Sequence, residues 1–155
     1  MPSFAKASRA HRATCDPRLQ RVLDRVIAIF DISVIWGHRG KEDQERAFAT
    51  GHSTKRWPNS KHNRMPSPAM DVVPWPVDWE DRERFTLMAG FILATADQVA
   101  REEAKAAGLP GPAWTLRWGG DWDRDTQVAD NKWDDLAHFE IVELAQPAAA
   151  ARAAA

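Results

Sequence analysis

Three residues of this chain have the type and setting to hold a metal ion. His62 lies in the polar stretch NSKHNR, and Asp71 follows nine positions later inside the apolar run Ala69-Met70-Asp71-Val72-Val73. His138 lies in WDDLAHFEIVEL, three residues after Asp135. A carboxylate set among apolar neighbours is costly to bury unless it meets a cation or several donors. A metal ion supplies that compensation; a cap, an arginine partner or exposure on a polar face would also do so. Zinc hydrolases commonly use three protein ligands of the His and carboxylate type and leave a position open for water. The ion brings that water's pKa to about 7, and a nearby carboxylate takes its proton. Two His, one embedded Asp and one further acid are a sufficient set. Against this, a single His is more often a surface or core residue, and Asp134-Asp135 reads equally well as a solvated turn.

Composition narrows the alternatives. Cys15 is the only cysteine among 155 residues, which excludes an internal disulfide and any Cys-rich zinc cluster. The formal net charge of −1 gives no strong pull toward nucleic acid or an anionic membrane. No stretch approaches the ~18–20 apolar residues of a membrane span, so stable membrane insertion is not expected. The N-terminal MPSFAKASRAHRATC lacks the apolar centre of a secretory signal, which implies synthesis and retention in the cytoplasm. Eight Trp and no Tyr is an unusual aromatic choice; most of the Trp are expected in the core or in cleft walls.

The elements that would position these residues follow from periodicity. Asp16-Pro17 reads as an N-cap and first turn, and Leu19, Val22, Leu23, Val26 and Phe30 continue at helical spacing, predicting a helix over 17–30. The β-branched run 32–36 predicts a strand, Gly37-His38-Arg39-Gly40 a turn, and 41–50 a polar helix closed by Gly51. Residues 51–69, rich in polar residues and containing three prolines, predict a long loop of the kind that often carries function. A short strand is expected over 69–73. A long helix over 79–107, capped by Asp78, would bury Phe85, Met88, Ala89, Ile92, Ala96 and Val99. Strands are expected at 115–118 and 137–144, the second placing Ala137, Phe139 and Ile141 on one face and His138, Glu140 and Val142 on the other. Mixed helices and short strands predict a single α+β domain over 1–145, a small antiparallel sheet packed against helices, with a flexible Ala-rich tail over 146–155.

The segments SKHN…PSPAMDVVP, WGGDW and DDLAHFE, in that order, resemble the zinc peptidases related to D-alanyl-D-alanine carboxypeptidases and dipeptidases, with their Ser-x-His…Asp…(Asp/Glu)-x-x-His pattern. VIWGHRGKEDQERAFATG resembles that family's strand, arginine turn and helix. The strongest likeness is to single-domain L-alanyl-D-glutamate endopeptidases used by bacteriophages as endolysins, and it covers most of residues 15–145.

The resemblance implies a Hedgehog/D-Ala-D-Ala peptidase-like fold and Zn2+ held by His62, Asp71 and His138. It implies Asp135 as the general acid–base and Arg39 as the group on the substrate carbonyl oxygen, against a solvated turn arginine. Ser60, two before His62, matches the motif's serine and either contacts substrate or braces the loop. Glu140 is a rival for the base, with Asp135 preferred because the family pattern places the acid there. The family more often spaces its first His and Asp seven positions apart; nine here, with Pro66 and Pro68 between, reshapes that side of the cleft. The implied substrate is bacterial peptidoglycan, cut between L-Ala and D-Glu by a monomeric enzyme that reaches the wall after the host membrane is breached. The rival readings are a D-Ala-D-Ala carboxypeptidase or dipeptidase of the same family and a non-catalytic zinc-stabilised wall-binding domain.

Overall fold

The structure is a computed structural model that describes residues 1–146. Four strands form one antiparallel sheet in the order β1-β2-β4-β3, where β1 is Ile32–Trp36, β2 Ala69–Pro74, β3 Trp114–Gly119 and β4 Asp135–Glu143. Among the described residues four α-helices accompany it: α1 Lys6–Ala13, α2 Pro17–Ile27, α3 Lys41–Ala49 and α4 Arg82–Ala106. The predicted α+β class is what is found.

Side chains alternate across each strand. Met70 and Val72 of β2, Leu116 and Trp118 of β3, and Phe139 and Ile141 of β4 enter the core, where they meet Leu19, Val22, Leu23 and Val26 of α2 and Phe85, Met88, Ile92 and Val99 of α4. The opposite face is left to polar side chains at the middle of the sheet. Asp71 pairs in register with His138, and Arg117 with Glu140. The sheet therefore sets these residues on one surface while its other surface holds the domain together.

Two irregularities aim the site. In β1 the register shifts between Val34 and Trp36, which brings Trp36 opposite Asp71. Such a bulge bends its strand and re-aims side chains. Between β3 and β4, Trp118 pairs with Phe139 but Gly119 already pairs with Asp135. The bulged stretch 136–138 thus folds Asp135 back toward the face that carries His138. Gly119 is required there: a Cβ would sit 2.2 Å from the Asp135 carbonyl oxygen.

Several boundaries differ from the sequence reading. The N-terminal segment contains helix α1, whose Ser8 Oγ accepts a 2.8 Å hydrogen bond from the Val34 N–H on the edge strand β1. Helix α2 ends at Ile27 rather than 30. Helix α4 begins at Arg82 rather than 79, because Asp81 and not Asp78 is its cap, accepting from the Arg84 N–H at 3.0 Å. Asp78 instead closes the preceding turn by accepting from the Glu80 N–H. Strand β4 starts two residues early, so Asp135 is a strand residue rather than part of a turn. Apart from Gln146, the Ala-rich tail lies outside the described residues. No described helix is long and apolar enough to cross a membrane.

Candidate metal centre and cleft

His62 reaches the sheet from a single 3-10 turn, Lys61–Asn63, inside the long loop. Ser60 Oγ accepts from the His62 N–H at 3.3 Å, and Asn63 Oδ1 accepts from the Ser60 N–H at 3.0 Å. This reciprocal cap satisfies backbone donors at the turn's start. The Arg39 N–H donates to the His62 carbonyl at 2.7 Å, and Asn63 Nδ2 donates to the Arg39 carbonyl at 2.9 Å. Gln44 of α3, fully buried, accepts from Asn63 Nδ2 and donates to Ser53 Oγ, tying the loop to the helix. The loop is thus held at several points rather than left free.

The three expected ligands converge. His62 Nε2 and His138 Nδ1 each lie 3.1 Å from Asp71 Oδ1 and 3.2 Å from one another. Their outer nitrogens decide the tautomers. His62 Nδ1 is 2.7 Å from the Gly37 carbonyl, which only accepts, so Nδ1 carries the proton. His138 Nε2 is 3.1 Å from Glu140 Oε2 and donates to it. Two imidazole lone pairs and a carboxylate oxygen therefore face a common point. Such an arrangement is repulsive unless a cation sits among them, and donors of this kind suit a borderline-soft divalent metal. The residues fit a metal ion.

Protonation follows the same logic. Burial disfavours charge on Asp71, but His62 and His138 outweigh it and hold its carboxyl well below the usual range. Burial also opposes charge on His138, yet its hydrogen bonds to Asp71 and Glu140 raise it to about 9.

Around the triad, each flanking residue has an identifiable support. Arg39 is buried, donates through Nη2 to Asp71 Oδ2 at 3.1 Å, and lies over the Trp36 ring at 5.0 Å. The arginine partner open to Asp71 in the sequence is therefore present, and it engages the oxygen that faces away from the histidines. Arg39 Nε is buried with no hydrogen-bond partner among the described residues. Glu140 is buried and receives Arg117 Nε at 2.9 Å, Lys61 Nζ at 3.3 Å and the His138 ring. Burial works against its charge, but His138 and Arg117 overcome this and lower its pKa strongly. Asp135 differs: burial first, and then the Asp71 charge, push its carboxyl up.

Arg39, Ser60, His62, Asp71, Asp135, His138 and Glu140 all line one cleft of about 630 Å³. Its far wall is aromatic, with Trp122 and Trp133 stacked 5.7 Å apart at 10° and Trp122 also 5.7 Å from the His138 ring. The sequence reading did not single out Gln44, Lys61, Arg117 or these two Trp. The alternation of β3 marks Arg117 for one face, but only the strand register shows that this face is the site's. In a second acidic group, Asp121, Asp123 and Asp125, the Asp121 carboxylate is engaged by its own loop, accepting the N–H groups of Asp125 and Thr126.

The family described as phage L-alanyl-D-glutamate peptidase matches residues 2–145. The chain belongs to this family. It is a peptidase, and the bond that defines its family is the L-Ala–D-Glu bond of peptidoglycan. The crystal structure of the Serratia marcescens L-Ala D-Glu endopeptidase ChiX superposes with a TM-score of 0.60 at 23% identity, over 90% of each chain, and shows the same fold. No curated protein sequence matches.

Proposed function

We propose that this peptidase uses zinc held by His62, Asp71 and His138 to hydrolyse the L-Ala–D-Glu bond of stem peptides, with Asp135 as general base and acid. The observation that carries the reading is the convergence of three lone-pair donors within hydrogen-bond distance, both outer ring nitrogens engaged, beside a carboxyl held by no partner side chain among the described residues. When bound, zinc supplies a Lewis acid that acidifies water and polarises a carbonyl. Asp135, its affinity for a proton raised by burial, takes a proton from the attacking water and passes it to the departing D-Glu amine. Arg39, which lines the cleft and keeps Asp71 in place through Nη2, is the cation assigned to the developing oxyanion. Ser60 holds the His62 turn from the cleft wall. Every proposed group comes from one chain, so a monomer suffices.

Cutting this bond frees the stem peptide from the glycan strand, the action expected of an endolysin. Mass spectrometry of fragments from purified peptidoglycan tests it. New amino termini on D-Glu are expected, with loss of turbidity and without free D-Ala. Release of D-Ala or D-Ala-D-Ala without solubilisation would establish a carboxypeptidase or dipeptidase instead.

A further inference from the structure

Glu140 has more positive charge around it than it can neutralise. Its single carboxylate pairs with Arg117 and with Lys61, two permanent cations, and it also accepts from His138. Neither Arg117 nor Lys61 pairs with any other acid among the described residues. Arg117 donates to Glu140 through Nε and Nη2, leaving Nη1 without a partner among the described residues, and its guanidinium lies 5.5 Å over the Trp122 ring on the cleft wall. Lys61 Nζ is held between Glu140 and the Ile141 carbonyl at 3.2 Å. Their side chains are 36% and 32% exposed, and both line the cleft that contains the metal triad. One net positive charge thus faces the cleft at Glu140, two positions beyond His138.

The proposed substrate carries the matching charge. In a stem peptide, D-Glu continues the chain through its γ-carboxyl, so its α-carboxylate is free. That group hangs from the same Cα as the scissile nitrogen, about 2.5 Å from it by standard bond lengths and angles. Close to the Asp71 and Asp135 carboxylates it needs a cation to enter. We propose that Arg117 and Lys61, poised on Glu140, form the subsite for the free α-carboxylate of the residue after the scissile bond. The enzyme thereby selects acidic D-Glu over its α-amide. Glu140 keeps the two cations oriented toward the cleft, so that a ligand carboxylate adds charge-assisted hydrogen bonds that an amide cannot match.

This inference rests on the L-Ala–D-Glu reading, and the test separates the two. Zinc-loaded enzyme is given the stem peptide with D-Glu and the same peptide with D-isoglutamine, and kcat/KM is compared. The acid should be favoured by about 10-fold or more, and this preference should shrink in Arg117→Gln and in Lys61→Gln. Equal cleavage of acid and amide by the wild type, which needs no variant to fold, overturns the subsite while leaving the bond assignment intact. A preference retained undiminished in both variants overturns it as well. Cleavage of neither peptide at this bond removes the underlying reading and the subsite with it.

Discussion

At the scale of single residues, the proposed mechanism gives His138 and Asp135 two separate tasks that their nearness in sequence blurs. His138 turns Nδ1 to the metal point because Glu140 holds its Nε2–H at 3.1 Å. Outer partners of this kind fix tautomer and ring orientation, and losing one costs metal affinity roughly 10–100-fold. Asp135 has no side-chain partner of this kind among the described residues, and burial pushes its carboxyl toward the protonated form. Glu140→Gln should therefore weaken zinc binding by about 10–100-fold in a chelator competition titration. Asp135→Asn should keep zinc and lose roughly 100-fold or more in turnover. The opposite ordering would move the base role to Glu140. His62, Asp71 and His138 were legible in the sequence because each has a telling local setting. What Glu140 does was not, since its partners Arg117 and Lys61 come from a neighbouring strand and a distant turn.

At the scale of elements, the site depends on where the strands break their register. Asp135 joins His138 only because β4 bulges between Asp135 and Phe139, and the bulge needs the bare backbone of Gly119. A methyl group there meets the Asp135 carbonyl at 2.2 Å, whereas at Gly90, in α4, nothing lies within 4 Å. Gly119→Ala should lower stability by about 1–3 kcal/mol, as overpacking does, and cut activity with it. Gly90→Ala should raise stability by up to about 1 kcal/mol, from helix propensity alone. Thermal melts of the two variants check the contrast; equal effects would mean that the bulge is not constrained. Periodicity foretold helices α2, α3 and α4 and all four strands. It did not foretell the bulges, because register is a property of pairs of strands. It also passed over α1, whose short polar sequence is read as helix only once Ser8 is seen bonding the edge of β1.

At the scale of the whole molecule, one sheet face makes the core and the other makes the site. Helices α2 and α4 bury the first, while the 51–68 loop and the Trp122–Trp133 segment wall the second. This arrangement explains how a nine-residue separation between His62 and Asp71 is accommodated. The added length lies in a loop anchored at Ser60, Asn63 and Ser67, whose N–H and carbonyl pair with Thr14 and Asp16. The mixed order of helices and short strands made the α+β class readable from the chain, and local settings together with family motifs pointed to the three residues that converge; the cleft walls emerged only from the fold. The central claim is that His62, Asp71 and His138 bind one zinc ion. Metal analysis of the purified protein, beside His62→Ala and His138→Ala, tests it most directly. Close to one zinc per chain is expected in the wild type and most of it should be lost in each variant. Full retention of zinc in both variants would contradict the assignment.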